Sequence, residues 1–377
     1  MTEYCWARPD EEDELIDFAN LVFSLDGSPT DFKKIQPRVY DRPGSSSITQ
    51  VAREGGKIKG LISAVTGILQ IGQQQLKYGF IGTVSVHPYF RGKGYMKRLM
   101  PMTMDALKAQ GCQLILLGGQ RQRYQHFGFE DAGAVLTLNF SDMSLRHTLG
   151  AEHDNRYTFV PLHEAGQEAL DQSIALFERK DFRSLRKRED FLIYMKTWMG
   201  KSCAIYHEGQ YAGYVYLIKS KVAEYAMLDE SKLPGALYAL MRTQGRDHLR
   251  LGILPLEARR YQALLAATDS WEINPFLNLQ VLDWAAFLGC LLAYKAGIVP
   301  LEDGQAVLGI AGQGNYHLAV KNNQVHVEKV DVEADLTLEP MAALRLTTLP
   351  FVEGLHPGHP FHNWFPLPFL FSDADAF

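Results

Sequence analysis

The feature that most restricts the fold is the run Val84-Ser85-Val86-His87-Pro88-Tyr89-Phe90-Arg91-Gly92-Lys93-Gly94-Tyr95-Met96. It reads as a strand, a turn carrying two glycines, and the start of a helix. Apolar residues Met96, Leu99, Met100 and Leu107 then recur at helical spacing, and the apolar stretch from Gln113 to Leu117 reads as the next strand. Together they predict a β-α-β unit. Its turn is laid out to bind an anion, because glycines let a ligand approach the backbone, and the helix start offers unpaired N–H groups and a positive dipole end. Arg91 and Lys93 add two cations suited to a pyrophosphate. Taken alone, the turn is equally a tight strand-to-helix connection with solvated basic residues. Context separates the two readings, since the second strand is followed by Tyr124-Gln125-His126-Phe127-Gly128-Phe129.

The chain of 377 residues is too long for one ordinary core and predicts two or three domains. Its first third alternates elements: a strand near Tyr4 to Ala7, an acidic-capped helix from about Glu11 to Phe23, and a strand pair around Glu54-Gly55-Gly56. Val135 to Phe140 alternates like a closing strand. An echo of the first hairpin comes later, where His207-Glu208-Gly209-Gln210 with Gly213-Tyr214-Val215 resembles Arg53-Glu54-Gly55-Gly56 with Gly60-Leu61-Ile62. Ser231 to Gly235 takes the place of the glycine turn there but lacks its pattern, so the second copy is expected to be structural. From Gln305 short strands follow, Ala306 to Ile310, Tyr316 to Val320 and Gln324 to Val330, joined by Gly and Asn turns. The aromatic and proline-rich tail from Phe351 to Phe377 is too apolar for a solvated terminus and is expected to pack in a specific place.

Composition excludes some functions. A net charge of -5 gives no general electrostatic reason to expect nucleic acid or an anionic membrane as partner. Cys5, Cys112, Cys203 and Cys290 show no CxxC pair and no zinc spacing, which predicts a reduced, cytoplasmic setting and no metal. The start of the chain lacks the basic and apolar pattern of a signal peptide. The longest apolar run, Trp284 to Tyr294, is about half the roughly 20 residues a membrane span needs, and reads as a buried helix.

Strand, RGxG turn, helix, strand and a tyrosine ahead of FGF resemble the GNAT acetyltransferase superfamily, whose acetyl-CoA motif is V-x-V-x-P-x-[YF]-R-G-x-G. The match runs from Val84 to Gly94. The resemblance implies that Val84, Ser85 and Val86 hold the pantetheine and thioester of acetyl-CoA, and that Arg91, Gly92, Lys93, Gly94, Tyr95 and Met96 hold the pyrophosphate. Gly119 and Gln120 fall where further cofactor contacts are made. Two departures are Met96, where most members carry Gly or Ala, and Pro101, which is expected to kink or shorten the helix.

A closer resemblance is to the enhanced intracellular survival (Eis) acetyltransferases. It implies an α/β fold of tandem GNAT domains, each a mixed central sheet flanked by helices, plus a C-terminal α/β domain like sterol carrier protein. The implied boundaries are 1–150 for the catalytic domain, 151–280 for a degenerate one, and 281–377 for the last, whose tail reaches the active site. Tyr124 would be the general acid and the carboxylate of Phe377 the general base. Homo-oligomers, hexamers in that group, are implied in the same way.

The chemistry is consistent with those roles. A phenol near pKa 10 is protonated at neutral pH, and a thiolate of about 8.5 is a nearly matched acceptor. The base is harder to supply, because an α-carboxylate near 3.5 lies far below an ammonium near 10.4. Burial among Phe365, Phe369 and Phe371 would raise the carboxyl, or a water relay would link it to an amine that enters neutral. Asp26, after the first helix, is a candidate to attract a cationic amine. His356, His359 and His362 form HxxHxxH, but Pro357 and Pro360 break the helix that would align them, so they read as loop histidines. The basic run Arg183 to Arg188, beside Glu189 and Asp190, reads as a solvated helix face, with a subunit contact as the alternative. The expected activity is acetyl transfer to a primary amine of a small cationic molecule, aminoglycoside- or polyamine-like. Alternatives are a protein-lysine acetyltransferase and a non-catalytic lipid or small-molecule carrier.

Overall fold

A computed structural model describes residues 2–25, 27–150, 156–350 and 358–377. The fold is α/β, and its described residues divide into two compact units, one from 1–133, 275–369 and 376–377, the other from 134–274 and 370–375. The boundaries expected at 150/151 and 280/281 therefore each fall inside one unit.

In the first unit the strands Thr2–Trp6, Thr49–Glu54, Lys57–Ile71 and Gln74–Val86 pair antiparallel in that order. Gln74–Val86 then pairs parallel with Leu114–Leu117, from Tyr78↔Leu114 to Ile81↔Leu117. A parallel pair needs a crossover, and the helix Tyr95–Ala109 supplies it. Its Leu99, Met100 and Leu107 join Ile62, Ile81, Ile115 and Leu117 in one core cluster, as the helical spacing predicts, but the fourth buried residue is Tyr95, and Met96 only packs partly buried against the cluster. The expectation that Pro101 shortens this helix is not met. Pro101 and Lys97, whose carbonyl loses its intrahelical partner, both lie on the exposed face, where water can satisfy that carbonyl.

The strand that closes this sheet is not the expected one. Residues 278–281 of Ser270–Val281 pair antiparallel with Leu114–Leu117. Val135 to Phe140 does lie in a strand, Glu130–Ser141, but its residues 136–141 pair with His248–Ile253 in the second unit. Alternation shows that a segment is a half-buried strand; it does not choose the partner.

The second unit repeats the order of the first. Lys201–His207, Gln210–Ile218 and Lys221–Met227 pair antiparallel, the helix Leu233–Thr243 follows, and His248–Ile253 returns parallel to Lys221–Met227. The echoed hairpins share their turn as well. Gly55 and Gly56 have φ of 61° and 75°, and Glu208 and Gly209 have 54° and 76°. Both central residues are left-handed in each, as twisted two-residue hairpins require.

Arg183 to Arg188 is not a solvated helix face. Phe182–Ser184 is a short strand, and the Arg186 side chain is only 1% exposed, 2.7 Å from Glu224 Oε2 and 2.8 Å from Asp375 Oδ2. Its guanidinium lies over the Phe177 ring at 4.1 Å. Burial alone would raise the Glu224 carboxyl, but Arg186 and Lys180 pull it down to about 2. Two carboxylates from separate segments let a cation sit in the core. Arg188 behaves as expected, exposed beside Asp171 and Glu178.

The strands expected after Gln305 are Gly304–Ile310, Gly314–Lys321 and Gln324–Val330, and they form a four-stranded sheet with Leu336–Leu338 in the first unit. The apolar run forms the helix Trp284–Ala296, capped by the Asp283 side chain on the Ala286 N–H. Its Lys295 is buried, donates to the carbonyls of Asn363 at 2.7 Å and Trp364 at 3.0 Å, and is pushed down to about 8 by burial. No described helix is long and apolar enough to cross a membrane.

Candidate active site

Gln74–Val86 gives way to a short 3-10 turn, Pro88–Phe90, and then to the exposed residues Arg91, Gly92 and Lys93. Gly92 and Gly94 have φ of 81° and 82°, the left-handed region that favours glycine, and a Cβ at either would meet no atom within 4 Å. The space in front of the turn is open. Gly94 is the N-cap of Tyr95–Ala109 and brings no capping side chain, so the helix presents uncapped N–H groups there. Arg91 has no ion-pair partner among the described residues. Lys93 is 3.8 Å from Glu54 Oε2, with its ammonium 4.2 Å from the Phe90 ring centroid. Tyr95 is buried and donates to Glu54, and Met96 packs partly against the core. An open turn, free N–H groups and a free guanidinium fit a pyrophosphate.

If this turn holds the pyrophosphate, Gly94→Asp should weaken acetyl-CoA binding by at least about 30-fold, since it sets a carboxylate in the expected anion site and strains a left-handed position. Isothermal calorimetry on the folded variant reads this. Unchanged affinity would move the binding site elsewhere.

Beyond Ile81↔Leu117 the two parallel strands stop pairing. The next residues, Gly82 and Gly118, start from neighbouring strands about 4.8 Å apart. On the Gly82 side sits the end of the chain. A Cβ built on Gly82 would lie 2.7 Å from Phe377 Cδ1, 2.8 Å from its O and 2.9 Å from its C, so the terminal carboxyl rests directly on this glycine. Phe377 is buried, with its ring 6.0 Å from the Tyr40 ring, and the carbonyl of Ala376 accepts from Arg38 Nη2 at 3.2 Å. The Phe365 and Phe369 rings pack on Phe361 at 5.0 Å and Phe287 at 6.3 Å. Phe371 is buried too, among the residues assigned to the second unit.

On the other side, Gly119 has φ 128°, and its carbonyl accepts from Asn278 Nδ2 at 2.9 Å. Gln120 stands at the N-cap position of the one-turn helix Arg121–Tyr124, which ends on the candidate acid. Tyr124 is only 5% exposed, and a Cβ on Gly119 would come within 3.0 Å of its ring. Burial pushes the phenol up and nearby Arg123 pulls it partly back, so it stays protonated at neutral pH. Arg121 donates to the fully buried Glu130, as does Arg345. Burial opposes charge on Glu130, but these hydrogen bonds hold its carboxyl below the usual range. Tyr124 thus follows the strand Leu114–Leu117, and the Phe377 carboxyl rests on Gly82 of the neighbouring strand Gln74–Val86.

Thr83 follows Gly82 with φ 49°. For a β-branched residue that conformation costs about 1–3 kcal/mol. It marks a bulge, since the register passes from Leu61↔Ser85 to Ser63↔Gly82 and leaves two residues opposite Ile62. The Tyr40 hydroxyl, pushed up to about 12 by burial, donates to Thr83 Oγ1 at 2.7 Å. Sequence reasoning missed Gly82, Thr83, Tyr40 and Arg38, for which no motif exists. Asp26 and His356 lie outside the described residues. His359 and His362 flank Pro360, and no group of three metal-ligating side chains occurs among the described residues.

Residues 3–132 match the acetyltransferase (GNAT) domain family. The class that this domain and its turn define is an acetyl-CoA-dependent acetyltransferase. Among solved structures the chain is similar to a probable N-acyltransferase from Enterococcus faecalis V583, at 14% identity and TM-score 0.69 over 100% of both chains. It is also similar to Eis1 from Mycobacterium abscessus, at 14% identity and TM-score 0.66 over 100% of both. A GCN5-related N-acetyltransferase from Anabaena variabilis matches at 17% identity and TM-score 0.65, over 93% of this chain and 91% of that one. At such identities these likenesses establish the fold. No curated protein matches the chain by sequence.

Proposed function

We propose that this acetyltransferase is of the Eis type and moves the acetyl group of acetyl-CoA to a primary amine of a small cationic molecule, aminoglycoside- or polyamine-like. The observation that carries the reading is the terminal carboxyl of Phe377 on Gly82, beside the strand end that leads to Tyr124. In this reading Arg91, Gly92, Lys93 and Gly94 with the helix start bind the pyrophosphate, and the bulged end of Gln74–Val86 receives the thioester. The Phe377 carboxylate takes a proton, through water, from an amine that enters neutral, as the new C–N bond forms, and Tyr124 gives one to the departing sulfur. The likeness to Eis1 over the whole chain supports the fold of this reading; the proposal extends to a second, degenerate GNAT-like domain, a sterol-carrier-like domain and a homo-oligomer acting in the cytoplasm.

Thiol release from acetyl-CoA, measured over aminoglycosides, polyamines and lysine peptides, tests the reading. Turnover of a small polyamine or aminoglycoside is the expected result. Turnover confined to lysine peptides would make it a protein acetyltransferase. No turnover with any amine, alongside intact acetyl-CoA binding, would defeat the proposal and favour a carrier.

A further inference from the structure

We infer that Tyr40 is a positioning residue for acyl transfer, its hydroxyl holding the strained bulge at Thr83 against the strand end where the thioester is received. The inference rests on the acetyltransfer reading above. Nothing local favours the bulge. Thr83 is β-branched, and its left-handed backbone is one that threonine adopts only when its surroundings impose it.

Those surroundings are a chain of hydroxyls. The Tyr40 hydroxyl is 2.7 Å from Thr83 Oγ1 and 3.1 Å from Ser63 Oγ. Ser63 Oγ is 2.7 Å from Thr49 Oγ1, which donates to the Ser45 carbonyl, also at 2.7 Å. Tyr40, Ser63, Thr49 and Thr83 are all buried, so water cannot replace a lost partner. Deleting the Tyr40 hydroxyl leaves Thr83 with its strain and without the bond that offsets it. The extra residue between Gly82 and Ser85 then has an easier alternative in regular pairing with Ile62, which would turn the following N–H and carbonyl groups to the wrong face.

The same short helix, Pro37–Tyr40, also reaches the chain end. Arg38 bonds the Ala376 carbonyl, and the Tyr40 ring lies beside Phe377. One element therefore fixes both the bulge and the terminal carboxyl that rests on Gly82. A tyrosine that merely filled the core would not touch either.

The test is a cycle of Tyr40→Phe, Thr83→Gly and the double variant. Phenylalanine keeps the ring, and glycine holds a left-handed turn without help. Y40F should lower kcat with the best amine by about 10–100-fold, the scale of a misplaced reacting group. Calorimetry with coenzyme A should show a loss much smaller than that in kcat, because the turn from Arg91 to Gly94 lies beyond the strand end at Val86 and keeps its own backbone. In the T83G background the Y40F loss should shrink to about threefold or less. Backbone amide exchange at residues 82–85, which needs no acceptor, should rise about tenfold in Y40F and be unaffected by Y40F once T83G is present. Equal losses in both backgrounds, or unchanged exchange in Y40F, would overturn the inference. Exchange changing as expected while the wild type acetylates no amine would overturn the acetyltransfer reading alone.

Discussion

Tyr124→Phe should lower kcat by about 10²–10⁴-fold while acetyl-CoA still binds, the range lost when a general acid is removed. The geometry supports so clean a separation. Tyr124 ends a one-turn helix after the strand Leu114–Leu117, whereas the turn proposed to hold the pyrophosphate follows the neighbouring strand Gln74–Val86. Phenylalanine keeps the ring that packs 3.0 Å from a Cβ position on Gly119, so only the hydroxyl is lost. Burial raises the phenol, which keeps it protonated across the neutral range and able to donate. A pre-steady-state thiol-release assay with calorimetry on the same preparation separates the two effects. Equal turnover in the variant would leave Tyr124 a packing role and give protonation of the sulfur to water.

The second large effect concerns the chain end. Adding a few residues after Phe377 should cut kcat by about 10²-fold or more with little change in acetyl-CoA affinity or melting temperature. An extension turns the terminal carboxylate into an amide and must lead new chain out of a buried position. Gly82→Ala approaches the same point from the other side. Its methyl would fall 2.8 Å from the Phe377 oxygen and 2.9 Å from its carboxyl carbon, closer than such contacts allow, so the terminus must move. Gly82 lacks a left-handed φ, so its own backbone accepts alanine. Turnover unchanged in both the extended chain and G82A would remove Phe377 from the mechanism.

The proposed mechanism asks a terminal carboxyl to serve as base. Its partner amine need not be deprotonated in one step across the full gap between a carboxylate and an ammonium. In the proposed mechanism the amine arrives neutral, and the carboxylate takes its proton only as the new bond forms and the nitrogen becomes strongly acidic. That demand is one of placement. Arg38, Tyr40 and Gly82 meet it by holding the last two residues from three directions.

What the sequence determined by itself was local. The β-α-β unit around Val84 to Met96, the hairpins at Gly55-Gly56 and Glu208-Gly209, the buried helix Trp284–Ala296 and the three strands after Gln305 all stand where periodicity and turn residues put them. Each is set by side-chain spacing and backbone preference over some fifteen residues, which a single sequence displays. The tertiary structure alone decided the rest. It paired 136–141 with His248–Ile253 and closed the first sheet with 278–281, buried Arg186 between Glu224 and Asp375, seated Phe377 on Gly82, and forced Thr83 into a left-handed turn. These features depend on which distant segments meet. A strand's alternation is satisfied by any partner of matching face, an arginine's burial depends on carboxylates far along the chain, and a left-handed threonine meets its hydrogen-bond partner, the Tyr40 hydroxyl, only when a distant segment folds against it.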